Sequence, residues 1–187
     1  MKQNGILTFT EINELIDQGV IENVDRKSVN AASLNVTLGP KFMVEKRCRD
    51  TVAGVHHTPL SFAARQSPDF LTVLGHAYLG PGEFCLASIV EKVNLPADIA
   101  CHVLLRSSAA RMGIEHSLAG WGDPLFSGHL TLEFSNVLKY HTVKLQEGDQ
   151  VCQLIFHRVP PVPTEKGYRG KYSNFDGPQA VLPEYGR

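Results

Sequence analysis

Four groups of side chains in this chain have types and spacings that suit chemistry. The first, Leu105-Arg106-Ser107-Ser108-Ala109-Ala110-Arg111-Met112-Gly113, directly follows an apolar run. Two hydroxyls at the start of a helical turn, flanked by two guanidiniums, supply backbone N–H groups, Ser donors and fork-shaped cations, the equipment of a phosphate site. The same residues also read as a Ser-capped short helix with surface arginines. The second group, at 119–128, holds Ala119, Trp121 and Asp123 in a Gly-rich stretch, where Asp before Pro is also ordinary turn chemistry. In the third, Leu130, Leu132 and Phe134 share one face of a strand while His129, Thr131, Glu133 and Ser135 share the other. Glu133 therefore lies on a polar face, where a solvated carboxylate is the bland reading. The fourth group is the segment 160–187, in which prolines and glycines interleave with Lys166, Tyr168, Arg169, Lys171 and Tyr172. Its composition fits a loose terminus, and equally a lid that brings cations to phosphates and rings to a sugar or base.

These groups must be held by something, and the pattern around them reads as strand. One helix is expected near the start, because Thr8 and Glu11 form a capping box, Ile12, Leu15 and Ile16 follow at helical spacing, and Gly19 ends it. Strands are expected over 34–38, 42–44, 70–74, 84–93, 99–105, 129–137 and 151–159. Between them stand breaks such as Gly39-Pro40, Gly80-Pro81-Gly82, Leu95-Pro96 and Glu147-Gly148-Asp149. Many short strands and too few helical stretches for βαβ crossovers predict an all-β domain over 1–159, a sandwich, jelly-roll or barrel with short helices, followed by the tail at 160–187.

The chain of 187 residues is 43% hydrophobic and 20% charged, so a packed core is expected. Lys and Arg number 18 against 19 Asp and Glu, a net charge of -1, which gives no field to gather nucleic acid or anionic lipid non-specifically. The apolar runs are too short for a bilayer span, and Met-Lys-Gln-Asn-Gly lacks a signal-peptide apolar region, so a cytoplasmic protein is expected. Cys48, Cys85, Cys101 and Cys152 are too sparse for a disulfide scaffold and include no Cys-x-x-Cys pair; they read as reduced packing residues. His56-His57 and the scattered other histidines do not make the His-x-His plus Glu set of a metal-dependent jelly roll.

The phrases at 31–39 (Ala-Ala-Ser-Leu-Asn-Val-Thr-Leu-Gly), 105–113, 119–136, 148–154 (Gly-Asp-Gln-Val-Cys-Gln-Leu) and 170–172 (Gly-Lys-Tyr) occur in this order and at similar spacing in the dCTP deaminases of the dUTPase-like superfamily. The chain resembles that family over nearly its whole length. The resemblance implies a distorted β-barrel or jelly-roll, assembled as a homotrimer with active sites between subunits. It implies that Arg106, Ser107, Ser108 and Arg111 belong to the triphosphate and catalytic-support motif, that Asp123 sits beside the deoxyribose, and that Glu133 is the deaminating carboxylate. It further implies nucleotide contacts at Gln153, and at Tyr168 and Lys171 of the tail. Backbone groups around Ala119 and Gly120 would help orient the base and water.

Zinc deaminases use a metal-bound hydroxide and a His-x-Glu plus Pro-Cys-x-x-Cys signature, and this sequence has neither half. Water would then be activated by Glu133 without zinc, with Mg2+ carried on the nucleotide phosphates. The first expectation is conversion of dCTP to dUTP and ammonia; the alternative is a bifunctional deaminase–diphosphatase that releases dUMP and pyrophosphate. A catalytically silent nucleotide-binding regulator on the same fold is a rival of another class. Several positions depart from the family pattern: Trp121 resembles the bifunctional branch, Gly122 stands for Ile, Leu125 for Gly, Asn35 for Asp and Phe175 for Gln.

Overall fold

The computed structural model describes residues 5–46, 60–61, 64 and 66–182, so Cys48, His56, His57 and the last five residues of the tail lie outside the described residues. In chain order the strands are β1 (Gly5–Ile6), β2 (Ile21–Glu22), β3 (Leu34–Val36), β4 (Leu38–Glu45), β5 (Phe70–Leu74), β6 (His76–Leu79) and β7 (Phe84–Ile89). They continue as β8 (Lys92–Asn94), β9 (Ile99–Leu105), β10 (Ile114–His116), β11 (Trp121–Gly122), β12 (Ser127–Gly128), β13 (Thr131–Asn136), β14 (Val143–Gln146) and β15 (Cys152–Arg158). Two α-helices accompany them, α1 (Phe9–Asp17) and α2 (Ser107–Arg111). The fold is all-β, as expected.

Helix α1 starts where its capping box predicts, with the Thr8 N–H donating to the Glu11 carboxylate at 3.2 Å. It buries Ile12 and Leu15, and Gly19 leaves it with a φ of 71°, a left-handed turn that suits glycine. One sheet runs β1-β15-β9-β11 with β3 added on β15, and a second runs β10-β13-β7-β4-β5. Alternation along β13 and β15 sends Leu132, Phe134, Cys152, Leu154 and Phe156 into one shared core with Leu34, Phe42 and Ile99.

Three expectations change. The break at Gly39-Pro40 does not end a strand: β4 runs through it, and the pairing with β7 shifts register between Leu38 and Phe42, the kind of irregularity that admits a proline inside a sheet. The run 84–93 is two strands in different sheets, because the chain turns at Val90 and Glu91. There the buried Glu91 carboxylate accepts the Thr37 N–H, and Val90 N–H donates to the Thr37 carbonyl at 2.9 Å. Strands β6 and β14 were not among those expected, although Ala77, Leu79, Val143 and Leu145 alternate with exposed neighbours; they pair with each other, and each is only four residues long.

The tail up to Leu182 lies along the body. Val162 N–H donates to the Ala97 carbonyl, Tyr168 N–H to Pro124, and Asn174 N–H to Ser127. Cys85, Cys101 and Cys152 are free and buried, and burial pushes each thiol up to about 12.

Candidate active site

Strand β13 lies between β10 and β7, with Glu133 directly opposite Leu86 and Ser135 opposite Phe84. The polar face of β13 is only partly open to water. Phe70, Phe84 and Leu86 wall it on one side, the turn holding Trp121, Asp123 and Phe126 closes another, and Tyr168 and Tyr172 of the tail line it as well. The tail is tied to this face where the Gln179 N–H donates to the Thr131 hydroxyl at 3.1 Å. Together they line a partly open cavity of about 510 Å³.

The reading of Glu133 as a solvated carboxylate is therefore corrected by tertiary cover. Its side chain is 27% exposed, and burial pushes its carboxyl above the usual carboxylate range, against a smaller opposite pull from its own backbone N–H. A carboxyl so placed holds a proton more readily than a solvated one, which suits proton exchange with a bound reactant. Close behind it stands His116 on β10, almost fully buried, with its ring edge-on to Phe134 at 5.9 Å. Burial lowers the imidazole's proton affinity, opposed by the charge of Glu115.

The second carboxylate of the cavity, Asp123, is exposed at its rim, and its Oδ1 accepts the Trp121 indole N–H at 2.8 Å. Its backbone carbonyl closes the turn by accepting the Phe126 N–H at 3.1 Å, so turn chemistry and a pocket-facing side chain coexist. Two departures from the family pattern find local reasons here. A Cβ at Gly122 would stand 2.5 Å from the Cys101 sulfur, so the larger residue is barred by the strand beneath. Leu125, where glycine would be easy, holds a φ of 69°, and its side chain occupies the space over Gly167 of the tail.

Of the site residues expected from the sequence, Ala119, Trp121, Asp123, Glu133 and Tyr168 line this cavity. Arg106, Ser107, Ser108, Arg111, Gln153 and Lys171 are not among its lining residues. Ser107, Ser108 and Arg111 are exposed on α2. The Arg106 guanidinium donates to the Gln150 carbonyl at 2.6 Å and so anchors the start of that helix. Gln153 is half-buried on β15, and the Lys171 ammonium donates to the Leu182 carbonyl within the tail. Tyr172, expected among the lid residues, and His129, expected on the polar face with Glu133, also line the cavity, while Gln179 went unnoticed in the sequence. His129 shares the strand alternation of Glu133, a usable signal; Gln179 has none, because a tail's path is not written in its spacing.

Among the described residues no three His, Cys, Asp or Glu side chains converge as a metal cage, and no helix is long and apolar enough to cross a membrane. The family model described as dCTP deaminase-like matches residues 6–159. A protein of Methanosphaera stadtmanae named dCTP deaminase, dUMP-forming, is 34% identical over 189 residues, covering 93% of this chain and 91% of its own. One of the same name from Kocuria rhizophila is 36% identical over 178 residues, covering 90% and 88%. The solved 2'-deoxycytidine 5'-triphosphate deaminase of Agrobacterium tumefaciens superposes with a TM-score of 0.64 at 21% identity, over 84% of this chain. This chain spans about half of that one, 49%. A model match over most of the chain, relatives above 30% identity along nearly all of it and a shared fold place the protein in the dCTP deaminase-like family.

Proposed function

We propose that this protein deaminates dCTP and carries the product through to dUMP and pyrophosphate. The dUTP-releasing reaction, the first expectation from the sequence, gives way to its alternative because both relatives cited above are named dUMP-forming. What carries the reading in this chain is one cavity that holds two carboxylates in unlike surroundings: Glu133 is partly desolvated and Asp123 is exposed at the rim.

In the proposed chemistry Glu133, ionised, takes a proton from water as the oxygen adds to C4 of the cytosine ring. It passes that proton to N3, and the hydroxyl proton of the adduct then moves through the same carboxylate to the amino group, which leaves as ammonia as the C4 carbonyl forms. Asp123 holds a second water for attack on the α-phosphorus, where the P–O bond to the β-phosphate breaks and pyrophosphate departs. The Trp121 N–H occupies one Asp123 oxygen and fixes the carboxylate plane, which favours this second task. The triphosphate would enter as its Mg2+ complex, a cation whose ligands are mainly phosphate oxygens and water. Bound there, the ion would neutralise phosphate charge.

The exposure of Ser107 and Arg111 away from the cavity supports the homotrimer that the resemblance implies, with α2 of one copy completing the Glu133 cavity of another. Incubation of the purified protein with dCTP and Mg2+, followed by separation of nucleotides, tests the whole reading. The expected products are ammonia, dUMP and pyrophosphate. Accumulated dUTP would remove the second activity, and unchanged dCTP would favour a nucleotide-binding regulator.

A further inference from the structure

The atoms behind the Glu133 carboxylate form a built but unfinished contact. His116 Nε2 and Glu133 Oε2 face each other at 3.6 Å, too far for a hydrogen bond. Both atoms are buried, and neither has a hydrogen-bond partner among the described residues. Two orphaned polar atoms side by side are costly in a resting protein, and no water fits in a gap that narrow. Hydrogen bonds of catalytic groups are often long in an empty site and close when substrate binds.

We propose that His116 is the positioning residue for Glu133: its Nε2–H donates to Oε2 as the site closes, and Oε1 is left as the oxygen that meets the reacting water. The proposal rests on the reading of Glu133 as the deaminating base. The backbone is already in place, since β10 and β13 pair with His116 opposite Phe134, one residue along from Glu133, and the ring rests against that same Phe134. His116 keeps its proton throughout; the two water protons travel by way of Glu133, one to N3 and one to the amine.

Charge bookkeeping agrees with a neutral donor. Burial keeps the imidazole from taking a second proton, and a neutral ring with its hydrogen on Nε2 stabilises an ionised carboxylate without neutralising it. Glu115 on the same strand pulls toward the charged ring, more weakly than burial pushes against it. The other elements packed on β10 carry Arg111 on α2, and Cys101 and His102 on β9. Cys152 on β15 also feels the Glu133 charge, and its thiol, pushed up to about 12, stays protonated. Among the described residues Glu133 is the acidic group within ion-pair reach of His116.

The test compares His116→Phe, which keeps a ring and removes the donor, with His116→Gln, whose amide reaches a similar point. For His116→Phe a kcat loss of roughly 10–100-fold is expected, with KM within about twofold and the acid limb of the kcat–pH profile moved up by about one unit. His116→Gln is expected to restore both. A His116→Phe profile that superposes on the wild type, or a loss that His116→Gln leaves unrepaired, overturns the proposal. Nitrogen-15 NMR of the wild-type chain provides a reading that no variant's folding can spoil: the His116 hydrogen must sit on Nε2, and a hydrogen on Nδ1 overturns the proposal. Substantial deamination by Glu133→Gln would instead bring down the reading of Glu133 itself. A dead Glu133→Gln with an unaltered His116→Phe profile would bring down the positioning role alone.

Discussion

Strand β13 and helix α2 both carry residues of the proposed reaction, and α2 leads directly into β10, which pairs with β13. Their surroundings are opposite. Glu133 is roofed by the tail, walled by Phe84 and Leu86, and held against a buried imidazole. Ser107, Ser108 and Arg111 stand in water. The difference follows from what each must do. A general base at a ring carbon gains its driving force from desolvation, which a single chain's core can supply. Hydroxyls and guanidiniums that grip phosphate keep their charge and donors in water, so they can wait on a surface for the site of another copy.

The largest expected effect tests the desolvated side. Glu133→Gln should cut ammonia release from dCTP by about 10³-fold or more while calorimetric dCTP affinity changes little, since the amide cannot take the water proton. Residual turnover within tenfold of wild type would return Glu133 to the status of a surface carboxylate.

The sharing of the site is tested next. Glu133→Gln and Arg111→Ala should each be inactive alone, and co-refolding them in equal amounts should restore roughly a quarter of wild-type activity, because each site then draws its two halves at random from two kinds of subunit. Failure to recover any activity would mean that both halves serve within one chain.

Asp123→Asn should spare deamination and slow pyrophosphate release by roughly 100-fold, so that dUTP accumulates, because the exposed rim carboxylate serves only the second step. Equal loss of both products would merge the two carboxylates into one task. A smaller effect comes from pH. The Glu133 carboxyl is raised by burial and must be ionised to act, so deamination should fall on the acid side starting above the ordinary carboxylate range, near pH 4–5 in a model peptide (about 4.3 for Glu). An acid limb at or below that range, measured as kcat against pH, would show Glu133 to be solvated in the working enzyme.

The smallest effect concerns the roof. Gly167→Ala would push a methyl into Leu125 and should loosen the tail by about 1 kcal/mol, read as faster proteolysis after residue 160, with Leu125→Gly in the same chain restoring protection. If the double variant is cleaved as fast as the single, Leu125 does not hold the tail.

Much of this was legible in the residues. The capping box of Thr8 and Glu11, the alternation through Leu132 and Phe134, and the Asp123 turn each depend on contacts between residues a few positions apart, and local spacing reports those. The grouping of Trp121, Asp123 and Glu133 in one cavity was likewise readable, because a turn and the strand after it cannot lie far apart. The failures share a cause. Pro40 inside β4 and the split of 84–93 depend on partners far along the chain, β7 for the one and Thr37 for the other.

What the sequence determined by itself is the set of chemical groups and the all-β framework, since residue types and short-range periodicity are local properties. Only the tertiary structure decided that Glu133 is covered, that His116 stands 3.6 Å behind it, and that Ser107 and Arg111 are left outside. Solvent exclusion is a collective result of β7, β10, β13 and the tail meeting across long stretches of chain, and no single segment carries the information for it.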